Sequence, residues 1–409
     1  MHAVAVTGLG AIAAIGNSAD AVFASTVVGK SGVRIAPELA VSTLTPLVAS
    51  ADFRTADVVL TRRSAPMDRA TAMAVAAARQ AVIDAGANVA IQGARTGIYW
   101  GTGMGAAQTL EDSYRSVFQD DNWRLRPTSV VTAMNNAAAA LISLEFGITG
   151  PSLTYTVACA SSAIAVGEAM RAIRHGLIDC AIVGGSEAML TRGMLSAWSA
   201  LRTLAACDAE NSARSCKPFS ADRTGFVLGE GAAALILESD LRASERGARI
   251  YAELAGFGLT SDAAHISDPS AIGQARAISI ALEDADLAPS AIGYINAHGT
   301  ATPVGDRIEV DAIRRAFGAA ASRVAISSTK ALHGHVMGAT GALEFLLAVL
   351  ALRSGLMPPT AHLDRADTEL GLDFIPNRAR RADLQAVMSN SFAFGGSNAV
   401  LIARRWAST

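Results

Sequence analysis

The sequence has no excess of charge of either sign. Its 409 residues include 34 Lys and Arg against 36 Asp and Glu, a formal net charge of −2. Because binding to nucleic acid needs clustered basic charge to neutralise phosphates, the composition argues against a nucleic-acid partner. Aromatic residues are also scarce, at 5% of a chain that is 51% hydrophobic. We therefore expect a largely aliphatic, alanine-rich core, in one large body or in two to three domains.

Long apolar runs and cysteine patterns are absent as well. The best uninterrupted apolar candidate, Phe345 to Leu352, is eight residues long, well below the roughly 18 that a membrane span needs. The first residues enter a strand-like run without the charged and apolar regions of a signal peptide. The four cysteines have irregular spacing that fits neither a disulfide framework nor a zinc site. These absences predict a soluble protein of the reducing cytoplasm.

What the sequence does contain is an alternation of short aliphatic runs with longer helical stretches. Continuous apolar runs such as 180–188 and 232–238 are typical of strands that are buried on both faces. Helix candidates with apolar residues at helical spacing lie between them, at Ala70–Ala85, Ser161–His175 and Thr340–Ser354. This alternation predicts a layered α/β fold.

A faint internal repeat divides the chain. Each half opens with a strand ending in Gly-x-Gly, near residues 2 and 251, and closes with a glycine before an aliphatic strand, near 229 and 395. The middle parts of the two halves also match. In the first half a strand-like run at 154–159 leads into a helix, and in the second half a strand-like run at 324–330 leads into a Gly-rich stretch. We predict two copies of one topology, over residues 1–245 and 250–409. No Pro- or Ser-rich linker separates them, so they should pack together.

Cys159 is the first candidate for chemistry. A strand-like run ends at Ala158, and a helix of small residues begins just after the cysteine. The unpaired N–H groups and the dipole of a helix N-terminus stabilise a thiolate, and strained strand-to-helix turns often carry nucleophiles. The alternative is a buried cysteine that only packs as a small hydrophobic residue.

Two other segments place histidines after predicted strands. His298 follows the run at 292–295 and precedes a glycine and two threonines, where α/β sheets place ligands, unless it only satisfies a local turn. Lys330, His333 and His335 share a glycine-rich turn that leads into an apolar helix. A buried lysine needs a partner, and Glu344 on that helix is the nearest in sequence. One of the two histidines is expected to be structural.

Near the C-terminus, Phe392 and Phe394 precede Gly395-Gly396. Backbone N–H groups beside such glycines suit an oxyanion hole or a gate, although a plain turn into the last strand has the same pattern. Gly8-Leu9-Gly10 resembles a dinucleotide fingerprint, but position 13 is Ala and the expected acidic residue is missing. We therefore expect neither NAD nor FAD.

Taken together and in this order, these segments resemble a β-ketoacyl-acyl carrier protein synthase of the elongating type II class, in the condensing-enzyme family. The resemblance runs from Val4 to about Arg405, and its most specific parts are the Cys–His–His set with lysine and the terminal Phe-x-Phe-Gly-Gly-Ser-Asn motif. It implies a thiolase-like fold, a duplicated five-layer αβαβα arrangement. It also implies decarboxylative condensation of acyl and malonyl groups carried by acyl carrier protein, in fatty acid or related polyketide or polyene biosynthesis.

The resemblance also implies roles for individual residues. Cys159 matches the nucleophile that takes the acyl chain. His298 and His335 match the pair that binds the malonyl thioester carbonyl, with Lys330 beside them. Phe394 matches the gate whose backbone N–H, with that of Cys159, forms an oxyanion hole. The other matches are Glu344 and Phe392 as supporting residues, Met104 in an acyl pocket across a dimer interface, Arg62 and Arg202 as docking sites for the carrier, and Asn296, Ala297, Glu344, Ser389 and Asn390 around the structural monovalent cation that some members hold.

The implied chemistry requires no metal or organic cofactor. The implied partners are acyl carrier protein and a second subunit, either a copy of this chain or a homologue. Three positions depart from the family pattern, namely His333 for Thr, Val157 for Thr and Ala393 for Gly. We expect Ala393 to stiffen the gate or to require a negative φ. These departures affect the expected substrate and not the reaction.

Two other functions compete with this interpretation. A non-catalytic partner subunit would shape the pocket of an active homologue, but such subunits typically lack the cysteine that this chain has with both histidines. A thiolase would use a second catalytic cysteine near the C-terminus, and residues 390–399 contain none.

Overall fold

The computed structural model describes residues 2–42, 44–61, 66–86 and 91–407. The strands are β1 (Val4–Ala13), β2 (Val33–Ile35), β3 (Leu47–Ala49), β4 (Thr96–Gly101), β5 (Ser152–Tyr155), β6 (Cys180–Glu187), β7 (Leu228–Gly229), β8 (Gly231–Ser239), β9 (Ala252–Ser261), β10 (Ile292–Asn296), β11 (Ala325–Ser327), β12 (Leu356–Met357), β13 (Arg380–Arg381), β14 (Ala386–Phe392) and β15 (Ser397–Arg404). The helices are α1 (Ala19–Val27), α2 (Arg69–Asp84), α3 (Ala107–Phe118), α4 (Ser129–Ala133), α5 (Ala137–Phe146), α6 (Ser161–Arg174), α7 (Arg192–Ala200), α8 (Asp240–Glu245), α9 (Ala271–Asp284), α10 (Pro303–Phe317), α11 (Lys330–His333) and α12 (Thr340–Ser354).

The main sheet shows the predicted duplication directly. Its strand order is β11-β10-β14-β15-β9-β1-β8-β6-β4-β5. Read outward from the centre, each half has the same order of equivalent strands, with β1, β8, β6, β4 and β5 matching β9, β15, β14, β10 and β11. The halves join where β1 pairs antiparallel with β9, at Ala5↔Glu253 and Val6↔Ala252. The boundary predicted at 245–250 falls between α8 and β9, and independent folding of the two halves stays a prediction.

The helices complete five layers. α6 and α12 pack on each other and on strands of both halves, so they form the central helical layer. α2 packs on β1 and β8, and α5 packs on α2 and β4, on the outer face of the first half. α9 packs on β9 and β15, with α10 beside it, on the outer face of the second half. This αβαβα arrangement confirms the predicted fold class. Helix positions agree to within one residue at each end with the three predicted from spacing.

The central helix α12 is buried over nearly its whole length. Its residues from Thr340 to Leu352 are all buried, which explains why it is apolar on every side. By length and composition, Met337–Ser354 is apolar enough to cross a membrane, a candidate that the count of uninterrupted apolar residues did not find. Because 89% of this segment is buried inside the protein, it serves as the core of the fold.

Small residues let the two central helices approach closely. A Cβ at Gly341 of α12 would lie 2.6 Å from both the Cβ and the backbone N of Ala163 in α6. Both helices begin directly after segments with candidate catalytic residues, Cys159 before α6 and His335 before α12. The packing of α6 on α12 therefore sets how these two residues face each other.

Candidate active site

Cys159 lies in the turn between β5 and α6, as predicted. A single 3-10 turn, Ala158–Ala160, joins the strand to the helix. Ala158 has a φ of +44°, a left-handed conformation that costs a non-glycine residue energy. The Ser161 hydroxyl donates to the Ala158 carbonyl at 2.7 Å and accepts from the Val157 N–H at 2.8 Å, which holds the turn closed. Cys159 is 4% exposed, at the start of a helix whose first N–H groups have no side-chain cap.

His335 contacts the cysteine directly. Its Nε2 lies 3.1 Å from Cys159 Sγ. On the other side of the ring, Nδ1 accepts the backbone N–H of Met337 at 3.3 Å and lies 3.0 Å from the Thr340 hydroxyl. Since a backbone N–H can only donate, Nδ1 is unprotonated and Nε2 carries the hydrogen. Burial, followed by the charge of Lys330, holds the pKa of His335 well below its usual value, so the ring is a neutral donor.

His298 completes the triangle. Its ring lies 5.5 Å from that of His335, nearly perpendicular, and ligand-capable atoms of Cys159, His298 and His335 all lie within 4.8 Å of one another. Burial and the Lys330 charge also hold the pKa of His298 well below its ordinary value. The structure therefore brings the three predicted side chains together, both histidines being neutral.

Lys330 supports this triangle without lying against the cysteine. Its fully buried Nζ donates to the His298 carbonyl at 2.5 Å and to Glu344 Oε1 at 2.6 Å. Burial raises the pKa of Glu344 to about 7, against the opposing pull of Lys330. Glu344 is thus the partner predicted for the lysine, and Lys330 holds the backbone of His298 in position.

His333 has a structural role, as expected for one of the two histidines. Its Nδ1 donates to the Gly334 carbonyl at 2.7 Å, and its Nε2 accepts from the Thr329 hydroxyl at 2.9 Å. Burial lowers the pKa of His333 to about 3, so this ring is also neutral.

The predicted gate residues, Phe392 and Phe394, line the same cavity as the cysteine. Burial raises the pKa of Cys159 to about 12, while Lys330 and the backbone N–H groups of Phe394 and Cys159 lower it. These two N–H groups therefore lie close enough to the sulfur to stabilise its negative charge, and their use as an oxyanion hole stays a prediction. The Phe394 ring stacks on Trp198 at 6.1 Å, and the Phe392 ring lies 6.0 Å from that of His298.

The alanine at position 393 is accommodated without a positive φ. Ala393 does not have a positive φ, whereas Gly395 and Gly396 have φ of +88° and +78°. The Ala393 N–H donates to Ser397 O at 2.8 Å, and Gly396 N–H donates to Ala393 O at 3.0 Å. This agrees with the expected negative φ. Of the other departures, Val157 packs partly buried against the core.

A cavity of about 360 Å³ leads from the surface to this site. It is lined by Cys159, His298, His335, Phe392 and Phe394 at its inner part, and by Arg202, Thr300 and Thr302 among others. Arg202 is exposed at this cavity, and its role in docking a carrier stays a prediction. Arg62, the other predicted docking residue, lies outside the described residues.

Met104 does not line the cavity of its own chain. The residue is 47% exposed, and among the described residues its one hydrogen bond is from its backbone N–H to Glu187 Oε1 at 3.2 Å. A role in an acyl pocket therefore requires a second subunit, as the resemblance implied, and stays a prediction.

Two buried carboxylates were missed by sequence reasoning. Glu309 accepts the backbone N–H groups of His298 at 2.8 Å and Gly299 at 2.7 Å, so it shapes the histidine loop. Glu187 accepts the N–H groups of Gly103 at 2.6 Å and Gly338 at 3.0 Å, which ties the end of β6 to the segment after His335. An acidic residue directly after the buried run 180–186 was the one available signal for Glu187.

Four of the five residues predicted around a cation carry a buried side-chain oxygen with no hydrogen-bond partner in the described chain. These atoms are Asn296 Oδ1, Glu344 Oε2, Ser389 Oγ and Asn390 Oδ1. Asn296 and Ser389 are neighbours in the register of β10 with β14. Oxygen donors of this kind suit a hard cation. The residues present therefore fit a cation, and the cation itself stays a prediction.

The chain matches two family models that together span most of its length. The model of the β-ketoacyl synthase N-terminal domain matches residues 1–243, and that of the C-terminal domain matches residues 251–364. The 3-oxoacyl-[acyl-carrier-protein] synthase 2 of Staphylococcus aureus is 37% identical over 408 residues, which cover 98% of each chain. The protein of the same description from Coxiella burnetii is 37% identical over 407 residues, again 98% of each chain.

Solved structures with the same architecture include a β-ketoacyl synthase and ketosynthases with their partner proteins. A β-ketoacyl synthase from Burkholderia phymatum has a TM-score of 0.91 and 35% identity, and covers 100% of both chains. The ishigamide ketosynthase/chain length factor has a TM-score of 0.92 and 33% identity over 99% of this chain and 100% of its own. A type II polyketide ketosynthase in complex with its acyl-carrier protein has a TM-score of 0.89 and 28% identity, over 99% of this chain and 100% of its own.

Proposed function

The chain belongs to the β-ketoacyl synthase family of condensing acyltransferases, and from the geometry of its site we propose that it elongates an acyl chain by two carbons. The substrates are acyl and malonyl groups carried by acyl carrier protein. The products are 3-oxoacyl-carrier, CO₂ and free carrier. The pathway is fatty acid synthesis or a related polyketide or polyene synthesis, in the cytoplasm.

One observation carries this proposal: the 3.1 Å contact between His335 Nε2 and Cys159 Sγ, with Nδ1 accepting the Met337 N–H. This arrangement gives a nucleophile beside a fixed neutral donor. A purely structural cysteine has no need for a histidine whose tautomer is fixed in this way.

Acylation is the first half-reaction. The S–C bond from Cys159 to the acyl carbon forms, the C–S bond to the carrier arm breaks, and the thiol proton passes to the departing sulfur. The negative oxygen of the tetrahedral intermediate accepts the N–H groups of Cys159 and Phe394. Because burial raises the pKa of Cys159 to about 12, the resting residue is a thiol, and helix α6 stabilises the thiolate as it forms.

Condensation is the second half-reaction. The bond to the malonyl carboxylate breaks with loss of CO₂, and its electron pair forms an enolate whose oxygen accepts hydrogen bonds from His298 and His335. The enolate carbon attacks the acyl carbon, the bond to Cys159 breaks, and a solvent proton restores the thiol. Neutral imidazoles serve as donors here without charge, and Lys330 acts by positioning His298.

The competing partner-subunit function is disfavoured by the same geometry. A subunit that only shapes a pocket needs no cysteine with a histidine at 3.1 Å. We propose that the chain is the catalytic member of a dimer, with itself or with a homologue. The complex of a ketosynthase with its chain length factor from Xenorhabdus doucetiae, at a TM-score of 0.79 and 28% identity, supports the second arrangement as an option for this fold.

The test is condensation by the purified chain. Carrier proteins loaded with acyl groups of two to sixteen carbons are incubated with malonyl-carrier, and products are followed by intact mass, with Cys159→Ala alongside. We expect two-carbon extension and CO₂ release that the variant lacks, and the preferred chain length identifies the pathway type. If the wild-type chain neither becomes acylated nor releases CO₂ with any chain length, the proposal is wrong and the partner-subunit function replaces it.

A further inference from the structure

Gln274 is a buried polar residue in the wall of the active-site cavity, and its side-chain oxygen has no hydrogen-bond partner in the described chain. It lies in the first turns of α9 and lines the cavity together with His298 and Asn398. Its side chain is 2% exposed. Within the described chain its Oε1 accepts no hydrogen bond. Burial of a carboxamide without partners is unfavourable, so such a group usually has a ligand or water to bind.

The polar side chains beside Gly273, the residue before Gln274, are already engaged with one another. The Asn398 amide donates to Asp262 Oδ1 at 2.7 Å, and Asp262 Oδ2 accepts the Ser270 N–H at 3.0 Å. Gly273 lies directly against both side chains, since a Cβ there would be 1.8 Å from Asp262 Oδ1 and 3.1 Å from Asn398 Nδ2. Because no described group donates a hydrogen bond to Gln274 Oε1, a partner for this carboxamide must come from the cavity.

We propose that the Gln274 carboxamide hydrogen-bonds a secondary amide of the thioester-carrying arm, an inference that rests on the proposed function. Such an amide offers an N–H to Oε1 and a carbonyl to Nε2, so it matches both ends of the side chain. A malonyl carboxylate has no hydrogen to offer Oε1, and a hydrocarbon chain offers neither group. The pantetheine arm of a carrier protein has two secondary amides, and it must cross this cavity to bring its thioester to Cys159.

The test compares Gln274→Leu with the wild-type chain on three acyl donors of one acyl group. The donors are the thioesters of pantetheine, with two amides, of N-acetylcysteamine, with the amide nearer the sulfur, and of butanethiol, with none. The rate constant of Cys159 acylation, kcat/KM, is followed by intact mass. We expect the variant to lose about tenfold with each donor that contains the recognised amide, the size of one neutral hydrogen bond, and nothing with the butyl thioester.

The pattern of losses identifies the amide. A loss with both amide donors assigns the amide nearer the sulfur, and a loss with pantetheine alone assigns the farther one. An equal loss with all three donors, or no loss with any, overturns the proposal. Gln274→Met is measured in parallel, and Gln385→Leu, at an exposed glutamine, is the control for the same chemical change.

The same experiment keeps the proposed function separate. Condensation of carrier-bound substrates by the wild-type chain tests the function, and the ratio of variant to wild-type acylation tests Gln274. We also expect Gln274→Leu to melt at the same or a higher temperature than the wild-type chain, because it removes an unpaired buried polar group. A merely structural glutamine would instead lower the melting temperature when it is replaced.

Discussion

At the scale of single residues, this site works with neutral groups. Cys159, His298, His333 and His335 are buried, and burial is the largest cause of each shifted pKa. In the proposed reaction, neutral histidines donate hydrogen bonds to a developing enolate without adding charge that would bind the malonyl carboxylate too well. Lys330 is the charged group beside them, and it is held by Glu344 and the His298 carbonyl.

His298→Ala should separate the two half-reactions. His298 makes no hydrogen bond to Cys159 Sγ, whereas His335 does, so acylation of the cysteine should persist. Loss of one donor to the enolate should slow CO₂ release by about 10²–10³. Intact mass measures the acyl-enzyme, and labelled malonyl-carrier measures CO₂. An equal loss of both half-reactions would contradict the role given to His298.

Arg202→Glu should weaken the binding of carrier-bound substrates and leave the binding of small thioesters unchanged. Arg202 is exposed at the cavity, and in the described chain it forms no ion pair, so its charge is open to an acidic carrier. Reversal of that charge should raise the KM for acyl-carrier by about three- to tenfold, more at low salt. The KM for the acyl N-acetylcysteamine thioester should stay the same. Arg323→Glu, also at an exposed arginine, is the control, and a similar KM increase there would contradict a specific docking role.

At the scale of elements, the contact between α6 and α12 decides where the catalytic residues meet. Each helix starts immediately after a segment that carries one of them, and each is buried almost throughout. The glycine at position 341 permits the approach, because no other side chain fits against Ala163. The positions of both helices could be predicted from the spacing of apolar residues in the sequence. The distance between α6 and α12 could not, because it depends on how the two halves of the chain pack.

Gly341→Ala should therefore disturb both stability and activity. The added Cβ would lie 2.6 Å from the Ala163 backbone N, so α12 must shift away from α6. We expect a loss of about 1–3 kcal/mol in the free energy of unfolding, as for other overpacked cores. Denaturant unfolding measures the loss, and acylation of Cys159 by an acyl thioester reports the shift of His335. Ser354→Ala at the end of the same helix should leave both unchanged, and a silent Gly341→Ala would refute the close-packing argument.

At the scale of the whole molecule, buried titratable groups make the stability depend on pH. The folded-state pKa of His333 is about 3, below the unfolded value near 6.5. The stability that this histidine contributes to the folded state is therefore present above pH 6.5. It is lost as the pH falls towards 3, because the unfolded chain binds the proton first. The raised pKa of Glu187, about 7 through burial, acts in the opposite direction. Its contribution is present below about pH 4.5 and is lost as pH rises through 7.

His333→Gln should flatten the acid side of the stability curve. Between pH 6 and 4 the slope of unfolding free energy against pH should fall by about one proton, or about 1.4 kcal/mol per pH unit. Chemical unfolding at several pH values measures the slope, which is independent of the variant's loss of stability at neutral pH. Glu187→Gln should change the slope with the opposite sign in the same window. An unchanged slope in His333→Gln would show that this histidine is protonated in the folded protein.

The sequence by itself determined the layered α/β class, the duplication and the candidate residues of the site. These depend on short-range features, namely apolar periodicity, glycine-rich turns and the order of motifs along the chain. Local patterns singled out Cys159, His298, Lys330, His335 and Glu344, the family resemblance gave them roles, and the structure places them together.

Only the tertiary structure decided how these residues act. The contact from Cys159 to His335 joins positions 176 residues apart, and it depends on how two halves of the chain pack. The tautomer of His335, the carboxylates of Glu309 and Glu187, and the unpaired amide of Gln274 depend on burial and on partners from distant segments. Local sequence patterns contain no information on the desolvation of a side chain. The sequence therefore identified the candidate residues, whereas packing determined their protonation states, their orientations and the distances between them.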